Sequence, residues 1–127
     1  MTRVLIVDDS KVILRELETF FTTEMGMEVV GTGSDGITGV ALYRQHHPDL
    51  VTMDLTMPNK DGIEALREIL TIDPAARVIV ISAMRDKDKI LFALSQGAKA
   101  FIKKPLLLAN RDFVQQIKED IARTLAA

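Results

Sequence analysis

Five short runs of aliphatic and β-branched residues punctuate this chain: RVLIV at 3–7, EVVGT at 28–32, DLVTM at 49–53, RVIVI at 77–81 and KAFI at 99–102. They are continuous rather than alternating, the pattern of strands covered on both faces, and so of a parallel sheet between helical layers. The stretches between them carry helical spacing. Ile13, Leu17, Phe20 or Phe21 and Met25 line one face of the first. Ile63, Leu66, Ile69 and Leu70 do so for the third, and Phe113, Ile117, Ile121 and Leu125 for the last. Pro48 and Pro74 each stand between a helical stretch and a strand, and push the residue before them out of the helical region. Gly97 suits a left-handed helix end, and Ser10 and Asp86 suit the N-caps of the first and fourth helices. A βα unit repeated five times, with right-handed crossovers, predicts an α/β doubly wound parallel five-stranded sheet with helices on both faces. With 127 residues and no linker or repeat, the chain is expected to form a single domain over 1–127.

Open parallel sheets bind ligands beyond the carboxyl ends of their strands. The first strand ends in Asp8 and Asp9, the third in Asp54, the fourth in Ser82, and the fifth in Lys104 followed by Pro105. The second offers Gly33, Ser34 and Asp35, which read as a plain turn. Alone, Asp8-Asp9 would be the start of a solvated loop with Ser10 capping the next helix. Several strand ends agreeing on one chemistry change that reading. Two unit charges ~4 Å apart repel by about 4 kcal/mol at an effective dielectric of ~20. Crowded carboxylates therefore need a counter-cation, or their pKa values must rise. An all-oxygen set with open positions suits Mg²⁺ (or Mn²⁺), which keeps waters and bridges to phosphate. A carboxylate beside that ion and the Lys104 ammonium is a candidate nucleophile toward phosphorus, giving an aspartyl phosphate, with the Ser82 hydroxyl bonding one phosphoryl oxygen.

Other classes fall away. With no cysteine there is no disulfide or thiolate chemistry, and a net charge of -2 gives no reason for direct nucleic-acid binding. The apolar run in MTRVLIVDD is too short for a signal peptide or membrane insertion, so a cytoplasmic protein is expected. His46 and His47 point about 100° apart on a helix and do not share a metal easily. RDKDK at 85–89 reads as a solvated helix start, and the methionines as core filler.

The motifs LIVDDS, VTMDLTMPNKDG, VIVISAM and GAKAFIKKP together resemble the receiver domain of bacterial response regulators, over residues 3 to 105. The resemblance implies strand order 2-1-3-4-5 in a flavodoxin/CheY-like three-layer sandwich. It implies a phospho-accepting switch of a two-component or phosphorelay system, phosphorylated on Asp54 by a sensor histidine kinase or its phosphotransfer domain. Such a switch is not an enzyme beyond catalysing its own phosphoryl transfer from phosphohistidine and slow self-dephosphorylation. Asp9 and Asp54 would ligate Mg²⁺ directly, Asp8 largely through water, and the Thr56 backbone carbonyl would add an oxygen. Lys104 would pair with the phosphoryl group, and Lys104-Pro105 would be a cis peptide. Ser82 would move toward the phosphoryl group, Phe101 would turn inward behind it, and a downstream protein would read helix 4, strand 5 and helix 5.

The chain departs from the family pattern in places. Ser82 stands where Thr is frequent, and Phe101 where chemotaxis members commonly have Tyr. Thr56 and Met84 would tune water access to the phosphoryl group. After Pro105 the segment LLLANRDF is unusual; Asn110 suits a helix cap. Leu106, Leu107 and Leu108 seat the last helix if buried and form a partner surface if exposed, with the buried reading ahead. VTMDLTMP and SAM favour a stand-alone, chemotaxis-type member, monomeric or dimerising on activation. The alternative is a receiver from a larger regulator or a phosphorelay intermediate. A haloacid-dehalogenase-type phosphatase would place Asp where Thr56 stands, a flavin carrier would replace the acids after strand 1 with a phosphate loop, and a degenerate receiver would have lost an acid or the lysine.

Overall fold

The computed structural model describes residues 1–126; Ala127 and the side chain of Met84, with the role expected for it, lie outside the described residues. The elements run β1 (Arg3–Val7), α1 (Lys11–Thr19), a π-helical turn (Phe20–Glu24), β2 (Glu28–Gly33), α2 (Gly36–His46) and β3 (Leu50–Asp54). They continue with α3 (Gly62–Ile72), β4 (Val78–Ala83), a 3₁₀ turn (Met84–Asp86), α4 (Lys87–Ser95), β5 (Ala100–Lys104) and α5 (Arg111–Ala126). All strand pairs are parallel, in the order β2-β1-β3-β4-β5, with Val4 opposite Leu50, Met53 opposite Val80, and Val80 opposite Phe101. Each sequence run is a strand, and the expected sheet order holds.

Neighbouring side chains on a strand point to opposite faces. Val4, Ile6, Leu50, Ile79, Ile81 and Ile102 pack with Leu17, Phe20, Phe21, Ile117 and Ile121, under α1 and α5. Leu5, Val7, Val51, Met53, Val78 and Val80 pack on the other side with Tyr43, Leu66, Ile69, Ile90 and Ala93, under α2, α3 and α4. Burying each such side chain contributes roughly 1.5–3 kcal/mol, so the two aliphatic layers rather than the few aromatics carry the fold.

The first helix differs from expectation. It leaves α geometry at Thr19, and the wider turn that follows buries both Phe20 and Phe21, with ring centroids 5.5 Å apart and edge to face. The Thr22 and Thr23 hydroxyls donate to the carbonyls of Glu18 and Thr19 at 2.9 and 2.6 Å. Such back-bonding competes with the regular helical ladder. Ser10 caps α1 as expected, accepting from the Ile13 N–H at 3.3 Å, and Asn110 caps α5 through the Phe113 N–H at 3.1 Å. Asp86 occupies the N-cap position of α4, but its side chain makes no capping bond. It accepts the Ser82 hydroxyl instead. Gly97 sits at positive φ after α4. The three leucines divide: Leu106 is buried, Leu108 half-buried against the α1–α5 core, and Leu107 exposed.

Candidate functional site

The site forms where β1, β3 and β5 deliver side chains from the same face of the sheet. Asp54 continues the Leu50–Thr52 side of β3, and Lys104 follows Ile102 on β5. Carboxylate oxygens of Asp8, Asp9 and Asp54 all lie within 4.8 Å of one another. Asp8 is completely buried and Asp54 is 4% exposed, whereas Asp9 is exposed to solvent. The Lys104 ammonium stands 3.0 Å from Asp8 Oδ2 and 3.5 Å from Asp54 Oδ2.

Two loops hold this arrangement. Asp8 Oδ1 accepts the Ser10 N–H at 2.9 Å, which fixes the carboxylate at the start of α1. Asp54 Oδ1 accepts the Thr56 N–H at 3.4 Å. The β3–α3 loop then turns back so tightly that a Cβ on Gly62 would lie 2.0 Å from the Asp54 carbonyl oxygen. No side chain fits there without moving backbone. The same loop is tied to the start of α2. The Gly36 N–H donates to the Lys60 carbonyl at 2.9 Å, and the Asn59 amide donates to Asp35 Oδ2 at 2.8 Å. Asp35 also caps α2 through the Thr38 N–H at 2.8 Å, so the segment read as a plain turn is a brace for the loop behind Asp54. Its signals were present in the sequence: an Asp three residues before a helical Thr, and an Asn in the turn PNKDG, where Asn59 has positive φ.

The electrostatics follow from crowding under low exposure. Burial pushes the Asp54 carboxyl up to about 7, with the neighbouring Asp8 charge adding to the rise and Lys104 and the Thr56 N–H pulling against it. Burial also raises Asp8, more than the Ser10 N–H and Lys104 lower it. Burial alone would lower Lys104, but its two carboxylate partners overcome this and hold it charged above its ordinary value. Asp8 Oδ2 is buried, and its neighbouring cation is the Lys104 ammonium 3.0 Å away, which pairs its charge and leaves its remaining acceptor capacity unused. When all are ionised, three carboxylates against one ammonium leave two negative charges, which one divalent cation would balance. The hard oxygen donors and this unused capacity fit Mg²⁺.

The structure thus brings Asp8, Asp9, Asp54 and Lys104 together. By strand alternation Ser82 and Phe101 fall on the other face of the sheet. Ser82 follows Val78 and Val80 on the α3–α4 side of the sheet, is 1% exposed, and donates its hydroxyl to Asp86 Oδ2 at 2.9 Å. Phe101 is half-buried against the same side. The Lys104-Pro105 peptide is cis, as the resemblance implied. Thr56 is exposed beside the site.

A family model for the response regulator receiver domain matches residues 4–118. The chain belongs to the response regulator receiver family. This receiver is 48% identical over 105 residues to protein CcdB of Bacillus subtilis, covering 83% of this chain and 87% of that protein. It is 47% identical over 103 residues to the chemotaxis protein CheY of the same organism, covering 81% and 85%. Among solved structures it is similar to the CheX-CheY-BeF3-Mg complex from Borrelia burgdorferi, with a TM-score of 0.84 at 38% identity, covering 94% of this chain and 86% of that one. The response regulator domain of Thermotoga maritima CheB gives a TM-score of 0.87 at 35% identity, covering 100% and 98%. The receiver is therefore a signalling switch closely related to CheY. Among the described residues no helix is long and apolar enough to cross a membrane.

Proposed function

We propose that this receiver is a stand-alone, CheY-like response regulator of the cytoplasm that accepts a phosphoryl group on Asp54 from a phosphohistidine of a sensor kinase or its phosphotransfer domain. The observation that carries this is a nearly buried carboxylate, Asp54, held beside two further acids and 3.5 Å from an ammonium. Similarity to proteins named for chemotaxis supports that branch of the family.

Asp8, Asp9, Asp54 and the Thr56 carbonyl would hold Mg²⁺. When bound it supplies positive charge that keeps Asp54 ionised and offsets the phosphoryl oxygens. An Asp54 oxygen forms the new O–P bond while the P–N bond to the donor imidazole breaks, its electron pair staying on the nitrogen. Lys104, already poised between Asp8 and Asp54, pairs with a phosphoryl oxygen and stabilises the charge spreading over that group. Self-dephosphorylation is slow, and the exposed Thr56 beside the site tunes the approach of water. Ser82 then turns toward the phosphoryl group and Phe101 moves inward, which alters the α4–β5–α5 face, where Leu91 and Phe92 of α4 are already exposed for a downstream protein.

Intact mass after incubation with Mg²⁺ and acetyl phosphate tests the acceptor. A single phosphoryl adduct should form on the wild type and vanish in Asp54→Asn. No adduct on the wild type, or an undiminished one on the variant, refutes the assignment.

A further inference from the structure

Four helices have a polar side chain closing their first turn: Ser10 on α1, Asp35 on α2, Asp61 on α3 and Asn110 on α5. The fifth, α4, has a residue of the right type in the right place, yet Asp86 caps nothing. Its carboxylate is turned back across the short Met84–Asp86 turn to accept the Ser82 hydroxyl at 2.9 Å. Asp86 is half-buried and Ser82 almost wholly so, which makes this a charge-assisted bond partly shielded from water. While it lasts, the hydroxyl is committed to Asp86.

We propose that Asp86 is a positioning residue for Ser82: it holds the hydroxyl out of the phosphoryl site in this state, and on release it caps α4. The inference rests on the reading that Ser82 approaches a phosphoryl group on Asp54. One carboxylate then serves two alternative partners. Transfer of the Ser82 hydroxyl to a phosphoryl oxygen frees Asp86 for the N–H groups of Asp88 or Lys89, where N-capping carboxylates bond. The occupancy of the acid rim is thereby converted into order in the first turn of α4. The coupling works in both directions, since a partner that favours a capped α4 also favours the hydroxyl at the phosphoryl group.

The test uses the full chain in four forms: wild type, Asp86→Ala, Ser82→Ala and the double variant. Beryllofluoride with Mg²⁺ serves as the phosphoryl mimic. Asp86→Ala removes the restraint and also the cap of the released state. The apparent affinity should therefore tighten by only about fivefold, the surplus of a charged hydrogen bond over an N-cap. In the Ser82→Ala background the same change should have less than about a twofold effect. Asp86→Asn, which keeps an acceptor oxygen without the charge, should fall between. An equal effect of Asp86→Ala in both backgrounds, or none in either, overturns the proposal. Amide hydrogen exchange without any mimic keeps it separate from the phosphoryl reading. Ser82→Ala frees the carboxylate, so protection of the Asp88 and Lys89 amides should rise several-fold. Unchanged protection overturns the relay even where beryllofluoride binds, and failure of the wild type to bind it counts against the Asp54 site alone.

Discussion

Replacing Asp54 by asparagine should stabilise the metal-free protein, and the gain should appear only as the pH rises. In the unfolded chain an aspartate titrates near ~3.9; in the folded protein burial and the Asp8 charge move Asp54 to about 7. Below the lower value the carboxyl is neutral in both states and folding carries no penalty. Between the two values the unfolded chain releases its proton more readily, so stability falls as pH rises, and the loss is complete above about 7. A gap of roughly three pH units at ~1.4 kcal/mol each sets a ceiling near 4 kcal/mol. The rim is open at the exposed Asp9, so solvent screening brings the working figure to about 2 kcal/mol. At roughly 4 °C per kcal/mol for a chain of this size, the variant should melt about 8 °C higher at pH 8. The two proteins should melt together near pH 4. Thermal unfolding followed by circular dichroism in a chelator, across pH 4 to 8, gives the measurement. Saturating Mg²⁺ should shrink the difference, because the cation offsets the same repulsion. A difference that stays flat with pH, or a variant less stable at pH 8, refutes the account of the site as electrostatically strained.

Gly62→Ala should destabilise by about 3 kcal/mol, read from the urea midpoint, because its Cβ would meet the Asp54 carbonyl oxygen at 2.0 Å and the Leu55 Cα at 2.7 Å. Leu106→Ala should cost about 2–3 kcal/mol and Leu107→Ala less than ~0.5 kcal/mol in the same assay, since one side chain is buried and the other is 48% exposed.

The five strands and the acid rim were legible because they depend on features that survive in one dimension. A run such as RVIVI is apolar on both faces wherever it packs, and a residue at a strand's end reaches the rim whatever surrounds it. The division of labour between Asp8 and Asp9 was harder to read. Adjacent residues point opposite ways, and only the fold shows that Asp8 is the buried partner of Lys104 while Asp9 faces water. The π turn was invisible for a related reason: helical spacing allowed Phe20 or Phe21 inside, and only a local departure from that spacing admits both. Asp86 looked like a cap because the sequence shows its position but not its competition. The hydroxyl four residues earlier takes the carboxylate from the helix end, a choice that spacing alone does not show.

The alternation of side chains along β3, β4 and β5 also has a consequence for engineering. By strand alternation Asp54 and Lys104 fall on the face under α1 and α5, and Ser82 and Phe101 on the face under α3 and α4, with the sheet between them. On the proposed mechanism the two sides communicate over its edge. A designer who transplants the acid rim into another receiver would therefore have to bring residues from both faces, because Phe101 packs in the layer under α3 and α4. On that mechanism Asp54, Ser82 and Asp86 would have to be moved as one set.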